Sequence, residues 1–276
     1  MRLTAYAGYI IYRENPGFRG RPHKKDLRLS LCGSRNLCVF IMDIFTRTKA
    51  LIGEEGFSRL SCAHVLLCGC GGVGSYALEA LVRAGIGKIT VIDSDTVDIT
   101  NLNRQIIATY DTIGMPKTAA AEKRALSVNP QLDFSSINVF LDKDNISDTL
   151  PCNIDYIVDA IDFVPAKVAL ARYAQDKHIP IISCLGTGNR LDASRFRICD
   201  IYGTSGCPLA RKMRYELKRA GVERLTVLHS DAKIIQPESN FDSGKRTVGS
   251  ISYVPSAAGL LISQHVITQL LKEIQK

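Results

Sequence analysis

A short unbroken apolar run, His64 to Cys68, leads directly into glycines, and then into a stretch, Ser75 to Ala84, whose Leu78, Leu81 and Val82 fall on one helical side. That order predicts a buried strand, a tight turn and a helix. Lys88 to Ile92 predicts a second strand, and Tyr156 to Ala160 and Ile179 to Cys184 predict two more. Between Asp93 and Gln105 few apolar residues interrupt a polar stretch, which predicts a loop leaving the carboxyl end of a strand. Pro116 is suited to open a helix with Lys117 in its first turn. Helices are also predicted over about 208–220 and 256–274, the last one amphipathic and closing the chain. The segment 236–249 is polar, glycine-containing and unpatterned, which predicts a mobile loop or lid. Together these elements predict an α/β fold. It would be a Rossmann-like open, mostly parallel sheet with helices on both faces, an antiparallel extension after about Ile181 and a lid-like C-terminal part.

At 276 residues one such domain accounts for the chain. No run approaches the roughly 20 consecutive apolar residues of a membrane span. Nine cysteines in an α/β chain of this type point to reduced thiols, and so to a cytoplasmic setting. The formal charge of +8 is uneven. Residues 1–41 hold 8 basic and 2 acidic groups, or +6, which leaves 35 − 8 = 27 basic and 27 − 2 = 25 acidic groups, or +2, for residues 42–276. This basic leader carries no helical or strand period. It reads as a transit peptide or as sequence upstream of a native start at Met42, and is expected to be poorly ordered. A nucleic-acid partner must therefore be sought in local patches, not in the total charge. One patch is the helix at about 208–220, with Arg211, Lys212, Arg214, Lys218 and Arg219. A solvated face and a surface for a tRNA backbone explain it equally well.

The chemistry concentrates at carboxyl strand ends. Gly69-Cys70-Gly71-Gly72-Val73-Gly74 allows a tight turn and close approach of backbone N–H groups to an anion, at a helix start that carries about half a positive charge. Asp93 ends the second strand, 24 residues after Gly69, where an acid bonds ribose hydroxyls. So far NAD, FAD and ATP all fit. Lys117 then sits where a helix dipole disfavours it, as a phosphate-binding lysine would. Asp162 ends another strand, in place to hold Mg²⁺ bridging phosphate oxygens, whereas Asp159 reads as structural or capping as readily as functional.

Four segments, GCGGVG at 69–74, DSDTVDITNLNRQ at 93–105, GMPK at 114–117 and DAID at 159–162, resemble the E1-like adenylating superfamily of ThiF and MoeB type. From about Met42 onward the chain looks most like its tRNA threonylcarbamoyladenosine dehydratase branch. RTKALIGEEG, SVNPQLDF, GCPLARKMRYELKRAGV and GSISYVPSAAG carry that likeness. The resemblance implies ATP and Mg²⁺ as cofactors and a nucleotide-binding set of Gly69, Gly71, Gly72, Val73, Gly74, Asp93, Asp95, Asn101, Asn103 and Gln105. It implies Arg104 and Lys117 as phosphate-contacting catalytic cations, Asp162 for Mg²⁺ and adenylation, and Arg47 as an arginine supplied across a homodimer. The implied reaction is adenylation of the threonylcarbamoyl carboxylate on adenosine 37 of tRNA, followed by cyclisation with net loss of water. A sulfur-transfer or carrier protein is a possible partner on the same resemblance.

Rival readings leave residues unexplained. Activators of ubiquitin-like or sulfur-carrier proteins usually carry paired CxxC motifs for zinc or a reactive cysteine. The cysteines here are spaced for no zinc site. Cys184 at a strand end and Cys207 at a helix start are the candidate thiols, and both read more readily as bystanders. An NAD-dependent oxidoreductase fits GCGGVG and Asp93 but gives no task to Arg104, Lys117 and Asp162. A non-catalytic nucleotide sensor is the third alternative.

Overall fold

The computed structural model describes residues 5–6, 9–10, 43–205, 207–236 and 248–272. The expected leader at 1–41, four residues apart, and most of the expected loop at 236–249 lie outside them. The chain divides into two units at Gly53. The first, Met1–Gly53, holds the short antiparallel pair β1 (Ala5–Tyr6) and β2 (Tyr9–Ile10) and the opening turns of α1 (Thr46–Cys62). Gly53 breaks α1 with φ 75° and ψ 170°, a conformation open to glycine at little cost.

The second unit is built on one sheet. In chain order its strands are β3 (His64–Cys68), β4 (Lys88–Ile92), β5 (Asp133–Ile137), β6 (Tyr156–Asp159), β7 (Ile181–Cys184), β8 (Phe196–Asp200) and β9 (Thr226–Ser230). They lie in the order β5-β4-β3-β6-β7-β9-β8. Every pairing is parallel except β8 with β9. This is the expected Rossmann-like α/β architecture with its antiparallel extension. β3 is buried at all five positions because helices cover both faces. The helices are α2 (Gly74–Ala84), α3 (Lys117–Val128), α4 (Ile146–Thr149), α5 (Val164–Asp176), α6 (Pro208–Arg219) and α7 (Tyr253–Lys272).

Boundaries differ from expectation for local reasons. β7 starts at Ile181, not Ile179, because the Ile179 N–H donates to Ala174 O at 2.9 Å to close α5, with His178 in the left-handed region at φ 55°. α7 begins three residues before Ser256, since Pro255 in its first turn needs no intrahelical donor. Contrary to the reading that no run is long enough, α7 is long and apolar enough to cross a membrane by length and composition. Here it covers α2. Val254, Ala258, Ile262 and Val266 are buried, and the Ser263 hydroxyl donates to Ala77 O at 3.0 Å. Gly259 permits this approach, since a Cβ there would strike the Val73 carbonyl and lie 2.9 Å from the Ala77 nitrogen.

Candidate active site at the sheet switch point

From β3 the sheet runs to β4 and β5 on one side and to β6 on the other. The carboxyl ends of β3 and β6 therefore frame a crevice where the strand order reverses, the position that binds ligands in open α/β sheets. The two ends are close. A Cβ on Gly69, whose φ is +88°, would lie 2.7 Å from Ala160 O, and one on Gly74 would overlap the Gly69 carbonyl. Glycine is thus required at both positions. No side chain caps α2; the Ser75 and Ala77 N–H groups of its first turn donate to Gly71 O and Val73 O, each at 3.0 Å, and it is the glycine turn ahead of them that lines the crevice. The crevice encloses about 570 Å³.

Eleven of the fourteen residues singled out in the sequence line it: Gly69, Gly71, Gly72, Val73, Asp93, Asp95, Asn101, Arg104, Gln105, Lys117 and Asp162. Gly74 lies behind the turn, and Asn103 reaches sideways, donating from Nδ2 to Ser250 O at 3.1 Å. Arg47 stands in the first turn of α1, in the other unit.

Each lining side chain has a local reason for its place. The Cys70 N–H donates to Asp93 Oδ2 at 2.6 Å and the Asp95 N–H to Asp93 Oδ1 at 2.8 Å, which fixes that carboxylate against the glycine turn. Lys117 is the first residue of α3, directly after Pro116, and is 7% exposed. Its ammonium pairs with Asp95 at 2.6 Å, and its N–H donates to Asp95 O at 2.8 Å. Asn101 closes the capping box of the 3₁₀ turn it ends, accepting the Asp98 N–H at 3.1 Å. Arg104 Nη1 donates to Thr100 O at 2.8 Å and Asn103 Oδ1 at 2.9 Å, with its Cγ beside Gly72. Gln105 is 4% exposed, and its Oε1 is a buried acceptor with no partner, facing a crevice able to supply one. Asp162 is exposed on the loop after β6.

Asp159 is structural. It is fully buried, 2.9 Å from the equally buried Lys167, and accepts the Ser183 hydroxyl at 2.6 Å and the Ile161 N–H at 3.2 Å. Lys167 Nζ also donates to Ile161 O at 3.0 Å, so the pair grips the loop that carries Asp162. Sequence reasoning missed Lys167, although a signal existed. It interrupts the buried stripe Ala166, Leu170, Ala171 and Ala174 of α5. It also missed the apolar wall Val139, Phe140 and Leu141 beyond Asp93, where Phe140 meets Phe163 with ring centroids 5.3 Å apart.

Of the two candidate thiols, Cys184 lines the crevice, but burial pushes it up to about 12 and its Sγ donates to Leu185 O at 3.2 Å. It is protonated at neutral pH and unsuited to nucleophilic attack. Burial likewise raises the Cys68 and Cys70 thiols. A nucleotide fits the remaining chemistry. A glycine turn, two cations, strand-end acids and an apolar wall line one crevice.

The ThiF family profile matches residues 45–276. The chain is 35% identical over 243 residues to the tRNA threonylcarbamoyladenosine dehydratase of Bacillus subtilis, covering 84% of this chain and 96% of that protein. Its structure superposes with a TM-score of 0.76 on the Escherichia coli tRNA N6-threonylcarbamoyladenosine dehydratase in complex with ATP, at 30% identity, covering 84% of this chain and 95% of the other. The molybdopterin-synthase adenylyltransferase of Haemophilus influenzae is 32% identical over 129 residues, only 47% of this chain and 53% of that one.

Proposed function

We propose that this chain, which belongs to the ThiF family, is an ATP-dependent tRNA threonylcarbamoyladenosine dehydratase. One observation carries the choice among adenylating enzymes. Similarity to dehydratases runs along 84% of the chain, whereas similarity to the molybdopterin-synthase adenylyltransferase stops at 47%.

In the reaction a carboxylate oxygen of the threonylcarbamoyl group attacks the α-phosphorus of ATP. The bond to the bridging oxygen breaks and pyrophosphate leaves. The N6 nitrogen of the adenine, at the far end of the urea linkage, then attacks the acyl carbon to close a five-membered ring, loses its proton and expels AMP. The second step is intramolecular, so orientation supplies much of the acceleration. The α2 N-terminus, Arg104 and Lys117 stabilise charge building on the phosphates, and Asp93 holds the ribose. Lys117 would exchange Asp95 for a phosphate oxygen as ATP enters, and Arg104 would turn from its own loop.

Mg²⁺ fits this donor set. Asp162 is an exposed carboxylate on the crevice, and magnesium is commonly held by one or two carboxylates together with substrate phosphates. When bound it would neutralise phosphate charge. The protein would act in the cytoplasm as a homodimer, Arg47 of one copy entering the crevice of the other.

The test combines the protein, ATP, Mg²⁺ and tRNA bearing the open threonylcarbamoyl modification. AMP release that depends on this tRNA, with one water lost from the nucleoside, is expected. AMP release without change in the nucleoside would overturn the assignment in favour of a protein carboxylate as substrate.

A further inference from the structure

We infer that the solvent face of α6 docks the phosphate backbone of the tRNA substrate beside the crevice, an inference that rests on the function proposed above. Arg211, Lys212, Tyr215, Lys218 and Arg219 are all exposed. At 3.6 residues per turn they fall within an arc of about 120°. Ala210, Met213 and Leu217, on the opposite side, are fully buried.

One cation of this helix is tied to the backbone outside it. Arg214 is half-buried and donates to Thr204 O at 3.0 Å. Among the described residues Arg211 and Lys212 have no acidic partner, and Arg219 meets Glu216 only at 3.5 Å. Arg211 and Lys212 also lie in the opening turns of α6, which contain no acid, where the helix dipole disfavours positive charge. Folding therefore gains little from Arg211 and Lys212, whereas Lys218 and Arg219, in the last turn, suit the dipole.

Their concentration is local. α6 carries five cations and one acid, 5 − 1 = +4, while residues 42–276 as a whole carry 27 − 25 = +2. The rest of that span is thus net negative, at 2 − 4 = −2. Aromatic rings lie among the charges. Tyr215 is 61% exposed with the Arg219 guanidinium 5.6 Å from its ring centre, and Lys218 lies 5.7 Å from that of Tyr202. Exposed cations next to an exposed ring suit RNA, which offers phosphates and unstacked bases together.

Position completes the argument. Leu209, in the first turn of α6, lines the crevice. The 12-residue helix then extends about 18 Å from that rim. An RNA strand whose modified nucleotide enters the crevice would pass along this face.

The test replaces all four exposed cations, R211A/K212A/K218A/R219A, and measures KM for modified tRNA and for ATP over a range of salt. The KM for tRNA should rise at least tenfold near physiological salt. The KM for ATP, kcat at saturating tRNA and the melting temperature should stay near wild type. The slope of log KM for tRNA against log salt should fall by about 2 to 3, from four contacts at roughly 0.7 each on single strands. Lys212→Glu alone should shift KM the same way, and R211K/R219K, which keeps the charge, should preserve tRNA binding. An unchanged KM and salt slope for tRNA, with wild type active, would overturn the inference, as would loss of binding to an acidic protein alone. A parallel rise in the KM for ATP would overturn it too, by placing the damage in the crevice. A wild type inactive on tRNA refutes the proposed function instead, and this surface with it.

Discussion

Replacing Lys167 by methionine removes one member of an ion pair in which both side chains are wholly buried and 2.9 Å apart. The partner, Asp159, would keep its Ser183 and Ile161 hydrogen bonds but stand as an uncompensated charge between β3 and β7. Breaking a buried pair in this way costs about 3–5 kcal/mol. A unit of this size, Glu54–Lys276, loses roughly 2–4 °C of melting temperature per kcal/mol, so the midpoint should fall by about 6–20 °C. Methionine matches the lysine stem in length, which keeps cavity formation out of the comparison. The ammonium also holds Ile161 O, so the Asp159–Asp162 loop should loosen and the KM for ATP should rise even well below the new midpoint. Thermal melts and ATP saturation curves read the two effects separately. The double variant D159N/K167M removes both charges and should recover more than half of the lost stability. If the single variant melts within about 2 °C of wild type, or the double falls as far as the single, then the pair is not what holds this loop.

Arg104→Ala and Lys117→Ala should each lower AMP formation by about a hundredfold or more while leaving the melt nearly unchanged, because Lys117 pairs with a largely exposed Asp95; normal turnover in either variant would misplace the phosphate site. Gly69→Ala should cost about 1–3 kcal/mol by strain at φ +88° and push the Ala160 carbonyl away, measured by denaturant titration and ATP binding. Burial holds His64, His229 and His265 below their ordinary 6.5. The unfolded chain therefore binds more protons than the native one just below that value. The stability they contribute is complete above pH 6.5 and is lost as pH falls through their folded values, so the melting temperature should drop between pH 7.5 and about 5.5, less so in His64→Gln. Iodoacetamide at about pH 8 should label the exposed Cys62 and Cys152 and spare Cys184, whose thiol stays protonated up to about 12, leaving AMP formation intact.

β3 and β4 were legible to the residue because each is a short run, apolar in all but a few positions, that is almost wholly buried and ended by glycine or aspartate. β5 was not, because Asp133-Phe134-Ser135-Ser136-Ile137 is a half-exposed edge strand whose pairing with β4, not its own pattern, makes it a strand. Charged residues were found where their spacing is chemical and lost where their work is internal. Asp93 stood out as a strand-end acid. The helix-capping task of Asn101 and the Lys117 contact of Asp95 depend on side-chain directions that spacing does not encode. Lys167 escaped notice because a lysine is ordinarily an exposed residue, although its neighbours Ala166 and Leu170 marked a buried face.

Four helices, α1, α3, α5 and α6, carry positive charge in their opening turns with no acid there to balance it, and the difference between α3 and α6 is informative. At the start of α3 the conflict is relieved within the protein, since Lys117 is 7% exposed and Asp95 neutralises it at 2.6 Å. Asp95 is the more exposed member, with 66% of its side chain accessible, so an incoming phosphate can displace it without unburying the ammonium. At the start of α6 Arg211 and Lys212 point to solvent, and no acid among the described residues answers them. The first arrangement suits a small anion that must enter, react and leave, because an internal counter-ion waits to take its place. The second suits a long polyanion held by several weak, salt-screened contacts at once, where an internal partner for each cation would only compete. On the proposed function, the α3 departure from good helix chemistry would serve the nucleotide that supplies the driving force and the α6 departure the RNA that is altered.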